Sequence, residues 1–263
     1  MPVARLATAA VLISGLLAAL FLLPPPGLAA AVALVLALAG FEWGRLCRFS
    51  PAAAAAYAAA VPATFAVVAL GGAGTSAIAL GAAFWLLVAP LWLWRGIEPR
   101  HAPLLAVAGF AVLVPAGASM LVLRPLEVLL ALGLTWIADT AAYFVGRRLG
   151  RRKLVPSISP SKTWEGAAAG LIGTLAYAII CAWVVPVLEG ISGGSWGPYL
   201  AAALLLGVAS ICGDLFESAA KRQASVKDSG AMLPGHGGIL DRIDSATCTL
   251  PFAALLWPLI SPR

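Results

Sequence analysis

Apolar residues along this chain come in long blocks, each roughly 17–25 residues, the length of helix that crosses a bilayer. Gly, Pro or charged residues punctuate the blocks, and the pattern predicts nine helices at about 7–23, 27–41, 52–70, 76–94, 103–122, 125–146, 165–187, 196–216 and 245–260. The expected fold is therefore all-α and polytopic. It forms one continuous membrane domain, with N-terminal helices over 1–123 and a C-terminal region over 124–263 that carries most of the polar residues.

Composition agrees with that pattern. Of 263 residues, 62% are hydrophobic and only 11% charged, where a soluble domain would carry about 25%. Mean hydropathy is +0.97. Charge also tests the helix count. With the N-terminus in the cytoplasm and sides alternating, fifteen of the seventeen Lys and Arg fall in cytoplasmic segments, and only Arg124 and Arg263 lie elsewhere. The outer turns PPPG, GGAGT and EGISGGSWG contain no cation. The first block has an alternative reading as a cleaved signal peptide, which would leave the remaining topology unchanged. The net charge of +6 does not imply a nucleic-acid partner, because the basic residues are spread over short loops without interleaved aromatics. Cys47, Cys181, Cys212 and Cys248 show no C-x-x-C spacing and predict neither a disulfide framework nor a zinc site.

Two inner connections concentrate the polar residues, Arg147 to Glu165 and Glu217 to Asp244. A connection of about 28 residues in a tightly looped chain points to function or disorder, and the regular apolar spacing after PGHGG argues against disorder. Asp241 and Asp244, at i and i+3, would share one face of a helix entering the ninth span, suited to a hard divalent cation; a salt bridge through Arg242 or capping by Asp241 is equally compatible. Asp214 lies near the end of the eighth span, with Glu217, Ser218 and Lys221 on the same helical side. An acid at that depth is either a functional group or a helix end reaching the interface. Asp139 shares a side with Tyr143 and Arg147, and reads equally as an ion-pair partner of Arg147 or as a substrate or metal contact.

Lys221, Arg222 and Lys227 suit a phosphate, although basic residues beside a bilayer also attract anionic lipid. Backbone N–H groups of the PGHGG run, Gly235, Gly237 and Gly238 among them, could cradle an anion, with His236 as an acid or hydrogen-bond donor. Ser157, Ser159, Ser161, Lys162 and Thr163 precede a helix start that would favour a phosphate. Together these groups describe metal-dependent chemistry on a phosphorylated substrate at one membrane face. A Ser-His-Asp elbow, a Walker A loop, H-E-x-x-H and G-x-G-x-x-G do not occur.

The run SAAKRQASVKDSGAMLPGHGGILDRIDS, Ser218 to Ser245, closely resembles the signature of the phosphatidate cytidylyltransferases, and WIADTAAYFVGRRLG and SPSKTWEG resemble further motifs of that family. The likeness covers about residues 130–250, while the first five spans match only as hydrophobic helices. Two positions depart from it: Ala220 stands where a larger apolar residue is usual, and Gln223 where an acid is common.

The resemblance implies an enzyme that transfers CMP from CTP to phosphatidate, giving CDP-diacylglycerol and pyrophosphate, and the compact architecture points to a bacterial inner membrane with the N-terminus cytoplasmic. The resemblance also implies a need for Mg²⁺, alone or with a second cation. Asp214, Asp241 and Asp244 would then be metal ligands, and Lys221, Arg222 and Lys227 would meet phosphates. Asp139, Ser159, Ser161, Lys162, Ser218, Asp228, Gly235, His236, Gly237, Gly238 and Arg242 would line the substrate site, open sideways to membrane lipid. Gly166 and Gly170, spaced G-x-x-x-G, would pack helices closely within the chain or between the protomers of a homodimer.

Two rivals fit less well. A CDP-alcohol phosphotransferase would need D-G-x-x-A-R, which is absent. A transporter using Asp139 and Asp214 would need matching buried acids in the first half of the chain, where the sequence predicts none.

Overall fold

The computed structural model describes residues 2–185, 188, 196–233, 235 and 237–260. In order, the chain forms α1 (Pro2–Leu22), α2 (Pro25–Leu46), α3 (Pro51–Leu70) and α4 (Gly74–Ala83), then a π-helical turn (Phe84–Val88) leading into α5 (Ala89–Arg95). After a 3-10 turn (Pro99–His101) come α6 (Ala102–Val122) and α7 (Pro125–Leu149). A hairpin of β1 (Lys153–Val155) and β2 (Ser159–Thr163) leads to α8 (Trp164–Val184), α9 (Trp196–Gln223) and α10 (Leu240–Ile260). Among the described residues eight helices are long and apolar enough to cross a membrane, counting Gly74–Arg95 as one, and Ala7–Leu22 is a shorter apolar helix. All nine predicted blocks thus find a helix.

Local signals explain most of the starts. Pro25, Pro51 and Pro125 open their helices, where a missing N–H costs nothing. Ser50 and Thr163 cap theirs by accepting from Ala53 N at 3.3 Å and Gly166 N at 3.1 Å.

The ends differ from the sequence expectation. Helix α9 continues to Gln223 instead of stopping near 216, and α10 begins at Leu240 instead of 245, so the second connection is only 224–239. Asp241 and Asp244 share a helix as their spacing predicts, and Glu217, Lys221 and Arg222 belong to the last turns of α9 and not to the connection. By sequence the charges mark the ends of these helices. Here the charged turns stay helical because their side chains pair with one another, as Lys221 does with Glu217 one turn earlier. The first connection holds the unforeseen hairpin, which pairs Lys153 with Thr163 and Val155 with Ser159.

Small residues let the elements that carry the site approach closely. A Cβ added at Gly213 would lie 2.5 Å from Asp244 O, so α9 meets the backbone of α10 directly beside Asp214. The Gly166 and Gly170 pair faces α7, where added Cβ atoms would lie 2.8 Å from Ala142 O and 3.0 Å from Ala138 O. That G-x-x-x-G signal is used within the chain.

The core beneath the site is aromatic. Fully buried Phe216 is surrounded by Trp43, Phe84, Trp85 and Trp92, with ring centroids 5.4–6.4 Å away. Trp43 comes from α2 and the other three from the π-turn and α5, so α9 is gripped one residue before Glu217.

The first half also contains two fully buried carboxylates, Glu42 and Glu127, contrary to the sequence expectation. Glu42 directly follows the 27–41 block, where a charge bounds the helix by sequence, and Glu127 lies inside the 125–146 block. Glu127 accepts from Arg124 N at 2.8 Å and pairs with its guanidinium, closing the N-terminus of α7. Glu42 has a different set of partners, described below.

Candidate active site

Five carboxylates and two lysines meet where α7, α9, α10 and the hairpin come together. Lys162 on β2 reaches Asp214 Oδ2 at 2.6 Å, and Ser218 Oγ donates to the other Asp214 oxygen at 3.2 Å. Lys221 donates to Asp241 Oδ1 at 2.6 Å and pairs with Glu217. Asp244 has Asp214, Glu217 and Asp139 as its charged neighbours, and it accepts from Ser245 N at 2.7 Å. Ser245 Oγ lies 3.4 Å from Asp139 Oδ2. Asp139 stays accessible on the flank of α7, and Arg147 turns to Tyr143 at 3.0 Å instead of pairing with it.

The second connection is held mainly through Asp241. Its Oδ2 accepts from Ser229 N at 3.0 Å and Gly238 N at 2.8 Å, with Ser229 Oγ also at 3.0 Å. One side chain therefore ties both ends of the connection to the start of α10. The N–H of Gly238, expected to face an anion, is already engaged here. Gly237 O accepts from Leu233 N at 2.9 Å, and Gly235 and Gly237 adopt positive φ of 75° and 81°, backbone that favours glycine. His236 and Pro234 lie outside the described residues.

The remaining predicted residues sit at the rim. Lys227, Asp228, Ser161 and Arg242 are exposed, and Arg242 makes no ion pair among the described residues. Ser159 is half-buried in β2. Arg222 donates through Nε to Ile158 O at 3.1 Å, joining the end of α9 to the hairpin. Ile158 itself packs on Leu215 and Ala219. The two polar connections, separate in sequence, thus form one surface.

Two contributors were not identified as site residues. Glu42 accepts from Ile239 N at 3.0 Å and Leu240 N at 2.9 Å, and Ser229 Oγ lies 2.9 Å from its Oε2. Gln223 donates to Leu46 O at 2.6 Å while Arg48 donates to Gln223 O at 2.5 Å, so the ends of α2 and α9 interlock. An acid at 223 could not donate to Leu46. The departure at Gln223 therefore has a local partner in this chain. The signal for Glu42 is an acid directly after an apolar block, on a helix that runs on to Leu46, where it is costly unless paired.

Comparison with known proteins follows the same geography. The model of the cytidylyltransferase family matches residues 3–260. The chain belongs to the cytidylyltransferase family. Its similarity to the family extends through the first five spans, well beyond the 130–250 stretch whose motifs were legible. The phosphatidate cytidylyltransferase of Pseudomonas aeruginosa is 38% identical over 272 aligned residues, covering 96% of each chain. That of Bacillus subtilis is 48% identical over 131 residues, 48% of this chain and 45% of the other. That of Brucella suis is 49% identical over 123 residues, 46% of this chain and 42% of the other. Within this family member, a first-half residue such as Glu42 is part of the architecture around the polar site.

Proposed function

We propose that this cytidylyltransferase transfers CMP from CTP to phosphatidate, releasing pyrophosphate and leaving CDP-diacylglycerol in the membrane. The observation that carries this is the joining of the two polar connections into one carboxylate- and lysine-rich surface at the ends of membrane helices, together with the full-length likeness to a phosphatidate cytidylyltransferase. A water-soluble triphosphate and a membrane-held phosphate can meet only at such a boundary. We place this end of the bundle on the cytoplasmic side of a bacterial inner membrane, in keeping with the concentration of Lys and Arg there.

In the reaction a phosphatidate oxygen forms a bond to the α-phosphorus of CTP, and the bond from that phosphorus to the β-phosphate bridging oxygen breaks. The nucleophile is already an anion at neutral pH, so no side chain need remove a proton. What the chain must supply is approach of two polyanions. Lys162 and Lys221, each held by carboxylates, are fixed cations with little orientational freedom left to lose. Arg222 and the exposed Lys227 extend the cationic surface towards phosphates at the rim. Asp139 is accessible on the flank of α7, and that flank would be the side open to lipid, where the acyl chains remain.

Five carboxylates (Asp139, Asp214, Glu217, Asp241 and Asp244) face two lysines (Lys162 and Lys221), an excess of three negative groups that suits a cation. Among the described residues no three donors group as a ready-made metal site. Mg²⁺ needs no such group, because it takes one or two carboxylates and completes its shell with water and substrate phosphates. Asp214 and Asp244 would hold it, since the oxygens of Asp241 are engaged by Lys221, Ser229 and Gly238. When bound, Mg²⁺ would neutralise phosphate charge and stabilise the departing pyrophosphate.

The test is transfer of labelled CMP from CTP to phosphatidate by purified protein in detergent, with and without Mg²⁺. Product that requires Mg²⁺ supports the proposal. Failure of well-folded protein to form CDP-diacylglycerol across lipid and metal conditions would overturn it.

A further inference from the structure

Glu42 stands on α2, about 190 residues away in sequence from the connection it touches, yet all of its recorded partners lie in that connection or at its exit. It is 2% exposed. Ile239 N and Leu240 N, which it accepts, belong to the opening turn of α10, where backbone N–H groups have no partner within the helix. Glu42 therefore closes that turn from another helix, and its acidic group suits the positive end of the helix dipole. Asp241 takes the preceding N–H, that of Gly238, so three consecutive donors are divided between two carboxylates.

Ser229 links the same two acids at the other end of the connection. Its Oγ lies 2.9 Å from Glu42 Oε2 and 3.0 Å from Asp241 Oδ2, and its single hydroxyl proton can serve only one at a time. There is no room for a larger residue in this arrangement: a Cβ at Gly230 or at Gly238 would fall 2.4 Å from a Glu42 oxygen. Behind the connection is a cleft of about 890 Å³, bordered by Glu42, Arg45 and Arg48 on one side and Ser225, Ser229 and Met232 on the other. The segment is thus not backed by packed core along this wall. Polar contacts, to Asp241 on α10 and to Glu42 on α2, hold it in place.

We propose that Glu42 is a positioning residue for CMP transfer, a brace from the first half of the chain that holds the Lys227–Gly238 segment and the start of α10 so that Asp241, Asp244 and Lys221 face the substrates together. This rests on the cytidylyltransferase activity proposed above. Glu42 touches none of the reacting groups; it acts through Ser229 and the backbone of Ile239 and Leu240. Glutamine there would turn an amide donor towards one of these donors.

The experiment compares wild type, Glu42→Gln, Ser229→Ala and the double variant, as full-length protein in detergent. It measures CMP-transfer kinetics against CTP, the thermal midpoint, and hydrogen exchange of the peptide spanning 224–240. Glu42→Gln is expected to lower kcat/KM by about 30-fold and to speed exchange in 224–240 by about 10-fold, with exchange in α7 and α8 unchanged. Ser229→Ala is expected to cost about 5-fold, and the double variant to be no worse than Glu42→Gln within about 2-fold, because both remove one network. Kinetics within about 3-fold of wild type for Glu42→Gln, lost activity without local exchange, or loosening throughout the bundle would each overturn the proposal. If Glu42→Gln does not fold, Ser229→Ala, which leaves α2 intact, decides it: wild-type exchange in 224–240 would count against the brace. Exchange is read without substrate, so an inactive wild type would strike the activity and leave the brace independently measured.

Discussion

Asp241 and Asp244 are one turn apart on α10 and nothing in their spacing separates them, yet the structure gives them different surroundings. The oxygens of Asp241 are engaged by Lys221, Ser229 and Gly238, so it binds the connection to the helix. Asp244 accepts from the neighbouring Ser245 N and otherwise has other carboxylates as charged neighbours, Asp214, Glu217 and Asp139. A carboxylate whose acceptors are taken organises structure; one crowded by like charges is suited to a cation brought in with substrate. The difference arises because α9 comes within backbone contact of α10 at Gly213, placing Asp214 beside Asp244, while the 224–239 segment folds back over Asp241.

The largest expected effect sharpens this contrast. Asp244→Asn should reduce CMP transfer by about 10³-fold while leaving hydrogen exchange in 224–240 near wild type, since it would remove a proposed ligand of the cation and no brace. Asp241→Asn should cost about 10²-fold, with faster exchange in 224–240, because Lys221 and two backbone donors lose their shared acceptor. If Asp244→Asn were the variant that loosened the segment, the two roles would be reversed. Lys162→Met should lower activity by about 10-fold and raise the Mg²⁺ concentration needed for half-maximal rate less than Asp214→Asn does, since it removes the cation and leaves the carboxylate in place. The smallest effect is expected for Gln223→Glu. It loses the bond to Leu46 O and gains an acid near Arg48, so activity should change by no more than about 3-fold and the thermal midpoint by a few degrees.

Much of the fold was legible because lipid imposes a simple rule. A helix that must satisfy its own backbone in hydrocarbon needs a long apolar block, and every predicted block became a helix. The polar cluster was legible for a related reason: charges such as Asp214, Lys221 and Asp241 stand out against an apolar background. Hidden from that reading were the ends of α9 and α10, where charged turns remain helical by pairing, and the β1–β2 hairpin, which brings Lys162 to Asp214. Glu42 stayed hidden because its partners are distant in sequence.

The sequence by itself determined the apolar blocks that become helices among the described residues and the gathering of its charged residues into two connections, because hydrophobicity and charge are properties of short segments. Tertiary structure alone decided which acid holds the 224–239 segment and which is left among like charges. It also decided that a helix from the first half reaches the site through Glu42. Those outcomes depend on which backbones can approach within hydrogen-bonding distance. That is set by helix packing around glycines such as Gly213 and aromatics such as Phe216, and no local pattern records it.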